Sequence, residues 1–277
     1  MTEIKTTPDG IEIPPPGPDD VLYEASDGVA RITLNRPVVL NALNKNVQRL
    51  LYVALERAED DDVQVVILGG AGRAFCAGGD LYSSLYPDDE PAPGGTEVQL
   101  KIWSFPKPVI AAVRGHAVGQ GCELAGVCDI TIAAEDAKFG EIQIRHGFGP
   151  PTLITPFLVG MKQAKEIMML GEMFDAREAQ RLGLVNRVVP SDRLDEEAEA
   201  MARKLASLPQ DTVRMNKALV NRAYDLAGFR EALAYRDDEA IQSLSDGGRA
   251  GVLDELQEGG WEAFKRRRDT MYEPAED

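Results

Sequence analysis

The sequence predicts an α/β core followed by a helical C-terminal region, and three observations carry that reading. Apolar, β-branched runs at Val29–Leu34, Val63–Leu68, Val109–Val113 and Cys128–Ala133 alternate with segments of helical periodicity. The stretch Pro108–Asp129, PVIAAVRGHAVGQGCELAGVCD, reads as buried strand, glycine-rich turn and helix start. After about residue 190 the strands stop and the pattern becomes all-helical. With 277 residues and 44% apolar composition, the chain can bury a large core without disulfide or metal staples.

Residues 1–20 end in PPPGPDD and read as a flexible or extended leader. They have neither the basic start nor the apolar stretch of a secretory signal. The strand Val29–Leu34 turns at Asn35-Arg36-Pro37. A helix then runs from Asn44 to Asp60 on the spacing of Val47, Leu50, Leu51, Ala54, Leu55 and Ala58. Strand Val63–Leu68 leads into GGAGRAFCAGGDL, with five glycines in thirteen residues. Such a backbone turns tightly or lets a ligand approach closely. Residues 82–95 are a polar Pro/Gly loop, either a mobile cover or a surface excursion. A helix over Thr96–Ser104 leads to the organising stretch.

Beyond it, Phe139–Pro151, FGEIQIRHGFGPP, reads as irregular, with Glu141 and Gln143 on one face of an extended segment but well apart. Helices are expected at 152–160 and 162–170. Asp175-Ala-Arg-Glu178 has the form of a capping box, its helix closing at Gly183 before a strand at Leu184–Val189. Helices at 192–206, 211–227, 229–244 and 252–268 complete the chain.

Composition removes several functions. The net charge of −16 argues against a nucleic-acid partner, and an anionic substrate would need local basic residues to hold it. No apolar run is long enough to span a bilayer. The odd cysteines Cys76, Cys122 and Cys128 lack metal-finger spacing and fit a reducing cytoplasm, as small fillers near the turns. The turn Gly119-Gln120-Gly121 has Leu124 where a dinucleotide-binding turn needs its third glycine. What the strand–turn–helix does offer is free N–H groups at a helix start, suited to a developing oxyanion, with Glu123 in the first turn.

Four stretches together resemble the enoyl-CoA hydratase/isomerase, or crotonase, superfamily. They are Asn35-Arg36-Pro37 with Asn41-Ala42-Leu43, GRAFCAGGDL at 72–81, KPVIAAVRGHAVGQGCELAGVCDI at 107–130, and the segment from Leu170-Gly171 to Gly183-Leu-Val185. The resemblance implies a spiral of ββα units over residues 21–205, and a helical oligomerisation region over 206–277. It also implies a homotrimer or dimer of trimers, and an acyl-CoA substrate whose coenzyme A is part of the substrate rather than a cofactor. No metal is implied.

By position, the oxyanion-hole donors are the backbone N–H groups of Gly79 and Gln120, the latter where the family usually has glycine. Glu123 aligns with the first of the two hydratase glutamates. The second falls on Gln143, which cannot act as a base. Arg36, Ala77, Asp80, Leu81 and His146 are the candidate substrate or CoA contacts. Arg36 would meet a CoA phosphate or a local acid, and Asp80 would fix its loop more than do chemistry. His116 and Lys265–Arg268 are weaker candidates still.

Three chemistries stay open at this level. In hydration, a lone Glu123 would act on a water oriented by Gln143. In a 1,3-proton shift, one base takes and returns the proton. In hydrolysis of a thioester or C–C bond, His146 would be the base. A weakly catalytic CoA-binding protein is the alternative outside enzymology. Glu141 is the nearest substitute for the missing carboxylate.

Overall fold

The structure is a computed structural model that describes residues 4–7, 10–83, 86, 90–236, 238–244, 251, 254, 256, 258–260, 262–266 and 270. Part of the proposed cover loop (84, 85 and 87–89) and part of the last expected helix, with Arg267 and Arg268, lie outside these residues.

In chain order the strands are β1 (Lys5–Thr6), β2 (Glu12–Ile13), β3 (Val21–Ser26), β4 (Val29–Leu34), β5 (Val65–Gly70), β6 (Val109–Val113), β7 (His116–Val118), β8 (Ile130–Ala134), β9 (Lys138–Gly140), β10 (Phe174–Asp175) and β11 (Arg187–Val189). The helices are α1 (Lys45–Asp60), α2 (Gly95–Ser104), α3 (Gln120–Gly126), α4 (Thr155–Leu158), α5 (Met161–Leu170), α6 (Ala176–Leu182), α7 (Leu194–Ala206), α8 (Gln210–Leu226), α9 (Phe229–Arg236) and α10 (Glu239–Ser243). The leader carries the β1–β2 pair, and Ile13 within it is buried.

Six strands form one sheet in the order β11-β8-β6-β5-β4-β3. Only the β3–β4 pair is antiparallel. That hairpin closes on Asp27-Gly28, both at positive φ, which suits the right-handed twist of the paired strands. The parallel strands are covered on both faces, which explains why every residue of β6 is buried. On one face α7 lays Leu194, Ala198 and Ala202, four residues apart, against Val65, Ile67, Ile110 and Ile132. On the other, α1 packs Val47, Leu51, Ala54 and Leu55 toward Ile32, Leu68 and Val109. Asn44 caps α1 by accepting from the Val47 N–H.

A second, three-stranded sheet, β10-β9-β7, positions the site. β7 pairs in parallel with β9, so both strands deliver their C-terminal ends to the same place: Val118 opposite Gly140. From its end β7 passes into the turn that starts α3, and β9 passes into Glu141 and a 3₁₀ helix, Ile142–His146.

Candidate active site

Two glycine turns are fastened back to back. Cys76 donates its N–H to His116 O, and Val118 returns one to Cys76 O. Gly121 fits only because it has no side chain: a Cβ there would lie 2.3 Å from Cys76 O. Around Gly79 the neighbouring amides are engaged, Ala77 with Leu40 O and Asp80 with Leu43 O, while Leu43 donates to Gly78 O. The Gly79 N–H donates to no backbone group among the described residues. Gly119, at φ 56° and ψ −130°, adopts a conformation open to glycine, and it starts α3 at Gln120. The Gln120 N–H, first in the helix, has no preceding carbonyl to bond. Gly79 and Gln120 therefore present two preorganised donors beside one another, at the positive end of a short helix.

The Gln120 side chain crosses from this turn to the start of α2. A Cβ on Gly95 would lie 1.8 Å from Gln120 Nε2, and one on Gly79 would lie 3.8 Å from Gln120 Oε1. The side chain thus occupies space that a glycine at 120 would leave open.

Glu123 is fully buried one step into α3. Its Oε2 accepts from the Thr152 N–H at 3.0 Å and its Oε1 from Gln143 Nε2 at 3.3 Å. Burial pushes its carboxyl well above the ordinary carboxylate range, and the negative charge of Glu141 pushes it further. The same Gln143 nitrogen donates to Glu141 Oε2 at 2.8 Å, and the Thr155 hydroxyl donates to Glu141 Oε1. Glu141 is pushed up to about 7 by burial, with those two hydrogen bonds pulling the other way. Gln143 Oε1 is buried with no hydrogen-bond partner among the described residues and stands 3.8 Å from where a Cβ on Gly119 would sit. Gln99 completes the wall: its Nε2 donates to Gln120 O at 3.2 Å, and its Oε1 accepts from the Thr152 hydroxyl. A cavity of about 150 Å³ opens here, lined by Glu141, Gln143, Ile144, Phe148, Pro150 and Met168.

Several expectations change on this geometry. Glu141 and Gln143 do not lie on an extended segment. The chain enters a 3₁₀ turn at Ile142, and both side chains meet at one amide nitrogen. Arg36 is not an exposed phosphate contact. Its side chain is 2% exposed, and its Nη1 donates to Asp80 Oδ2 at 2.6 Å and to Ala42 O at 3.1 Å. Asp80 also accepts from the Tyr82 N–H, so the Arg36–Asp80 pair ties the two loops that carry Asn41–Leu43 and Gly78–Asp80. His146 is buried against the Phe264 ring, 4.7 Å between centroids, and does not line the cavity. Leu81 packs with Tyr82 against Leu256 and Phe264 of the C-terminal region. Ala77 is half-buried beside the turn. His116 lies in β7, its pKa lowered chiefly by burial and further by Arg73 and Lys138. Gln99, Thr152 and Thr155 were not singled out in the sequence, because nothing local marks them as buried.

The family sequence model described as "Enoyl-CoA hydratase/isomerase" matches residues 24–270. The "Probable enoyl-CoA hydratase echA8" of Mycobacterium bovis is 38% identical over 228 residues, 78% of this chain and 86% of that protein. The "Probable enoyl-CoA hydratase" of Rhizobium meliloti is 39% identical over 263 residues, 92% of this chain and 98% of that one. A crystal structure of an enoyl-CoA hydratase/isomerase from Xanthobacter autotrophicus Py2 superimposes with a TM-score of 0.85 at 38% identity. It covers 92% of this chain and 99% of that chain.

Proposed function

The chain belongs to the enoyl-CoA hydratase/isomerase family, and on that premise we propose that it adds water across the double bond of a 2-enoyl-CoA thioester. One observation carries the reading: the N–H groups of Gly79 and Gln120, engaged by no backbone group among the described residues, lie at the turns where α3 begins, the helix that carries the buried Glu123. In hydration the water oxygen bonds to Cβ as a carboxylate of the site takes one of the water's protons, and the π electrons move through Cα onto the thioester oxygen. The resulting enolate oxygen is met by the two donors. Collapse of the enolate draws a proton onto Cα, and Glu123 is the group placed to deliver it. Gln143 Oε1, without a donor among the described residues, is suited to accept a hydrogen bond from the attacking water.

A 3-enoyl to 2-enoyl shift is the second reading, favoured by the amide at 143: Glu123 alone could take a proton from one carbon and return it to another. Both readings use the same enolate. The enzyme is proposed to need no cofactor beyond the coenzyme A of its substrate. Exposed Met215, Leu219 and Val220 on α8 support the trimer, or dimer of trimers, proposed for the helical region. Three buried free thiols are consistent with the cytoplasmic location proposed for it, and no helix among the described residues is long and apolar enough to cross a membrane.

The test is turnover of a short 2-enoyl-CoA and a short 3-enoyl-CoA, followed by the conjugated thioester absorbance. Loss of absorbance with the first is expected. Gain with the second and no change with the first would favour the shift, and no change with either would overturn both.

A further inference from the structure

Hydration calls for a proton acceptor for the water and a proton donor for Cα, and the chain has an amide at position 143 where a second carboxyl would be expected. We propose that Glu123 and Glu141 form the acid–base pair of the reaction, holding one proton between them across the amide of Gln143. This rests on the hydratase reading and deepens it.

The geometry is specific. A single nitrogen, Gln143 Nε2, donates to a carboxyl oxygen of each glutamate, at 3.3 Å to Glu123 and 2.8 Å to Glu141. Both carboxyls are buried, Glu123 at 0% and Glu141 at 3% exposure. Two charges in so dry a site repel, so the pair keeps one proton at neutral pH. Each of the four carboxyl oxygens has a donor from Thr152, Thr155 or the shared amide. Glu141 lines the cavity together with Gln143.

The hydrogen bonds assign the roles: the shared amide lies nearer Glu141, which also accepts from the Thr155 hydroxyl. Burial raises Glu141 to about 7; burial also raises Glu123, and the charge on Glu141 raises it further. In the proposed pair Glu141, the more closely hydrogen-bonded carboxyl, is the ionised member and Glu123 the protonated one. Glu141 takes the proton released as the water oxygen bonds to Cβ. Glu123 gives its proton to Cα as the enolate collapses. The pair ends with the one proton it began with, now on Glu141, and its return to Glu123 resets the site.

The other groups facing the pair fit this assignment. Arg236 of α9 is the positive charge that reaches Glu123, and it lowers the Glu123 pKa less than burial and Glu141 raise it. Cys122 of α3 stays a neutral thiol, raised by burial and by both carboxyls. Arg145 on the 3₁₀ turn donates its Nε to Gly171 O.

The experiment compares Glu141→Gln and Thr155→Val with the wild type across pH, using a short 2-enoyl-CoA. The wild type should rise in kcat through about pH 7 as Glu141 ionises and fall at higher pH as Glu123 loses its proton. Glu141→Gln should lower kcat by about 10²-fold with little change in KM. It should also move the alkaline limb to lower pH, because the charge that raises Glu123 is gone. Thr155→Val keeps the side-chain volume and removes a donor that favours ionised Glu141. Its acidic limb should move to higher pH, a readout that stands even if Glu141→Gln folds poorly. Adding Gln143→Glu to Glu141→Gln should recover at least about tenfold of the lost kcat, given the 10²-fold scale of one acid–base group. Wild-type kcat in Glu141→Gln, or limbs unmoved in both single variants, would overturn the pair while leaving the hydratase reading intact. No turnover of any 2-enoyl-CoA by the wild type would overturn both.

Discussion

Glu123→Gln is expected to lower kcat by about 10²-fold or more on every enoyl-CoA the wild type converts, with KM nearly unchanged. The glutamine keeps the shape of the side chain and can still accept from the Thr152 N–H, so the pocket should persist. What it loses is the exchangeable proton next to the two amide donors. The same substitution should change the dependence of stability on pH. Glu123 has a folded pKa raised above its unfolded one, so the folded state binds more protons as pH rises past the ordinary carboxylate range. Its stability contribution is present at low pH and declines from there up through the raised folded pKa. Glu123→Gln should flatten that decline, so urea midpoints of variant and wild type should differ in the variant's favour at alkaline pH. Steady-state kinetics and urea melts at several pH values check both parts. Full activity in the variant would reject Glu123 as the proton-transfer group.

Gly121→Ala is expected to be nearly as damaging, without touching any side chain that does chemistry. Its Cβ would meet Cys76 O at 2.3 Å and Cys76 C at 2.9 Å, both backbone atoms of the facing turn. Neither can swing aside as a flexible side chain would, so the two turns must part. Gly79 lies three residues beyond Cys76, and Gln120 lies next to Gly121, so the two N–H groups diverge. Loss of one oxyanion donor typically costs about 10²–10³ in kcat, and that is the expected loss here. Alanine is the better helix former by about 1 kcal/mol, so any fall in stability reports the forced separation rather than helix propensity. Wild-type kcat in a folded Gly121→Ala protein would show that the two turns do not set the catalytic geometry.

The parts of the fold that could be read in the sequence are those where local pattern and burial agree. Asn44 with its apolar spacing located α1. Asp175 with Glu178 located α6, where the aspartate accepts from the Glu178 N–H. The β-branched runs located the buried parallel strands, although β5 begins at Val65 and extends through two glycines that carry no strand signal. β3 escaped because its residues are mostly exposed and do not alternate. β7, β9 and β10, each two or three residues long, are too short for any period to show. The span expected as one helix at 229–244 is two, α9 and α10, with Asp238 capping the second.

In the candidate site, motif spacing singles out Gly79, Gln120 and Glu123 as candidates. Partnerships between distant residues were not legible. That Arg36 spends its charge on Asp80, forty-four positions away, follows from the packing of two loops. Glu141 and Gln143 converge because a 3₁₀ turn replaces the extended geometry that the alternation Glu-Ile-Gln-Ile suggests. The turn brings the Gln143 amide within hydrogen-bond reach of Glu141, where Thr155 and Glu123 meet the pair.

In the reaction proposed here the thioester oxygen of an acyl-CoA is held between the amides of Gly79 and Gln120, with Glu123 and Glu141 on the acyl side. A crystal structure with acetoacetyl-CoA tests this most directly. The thioester oxygen is expected at about 2.7–3.1 Å from both nitrogens, with the acyl chain directed into the cavity beside Gln143. A thioester oxygen bonded elsewhere, with both amides unengaged and Glu123 remote from the acyl carbons, would contradict it.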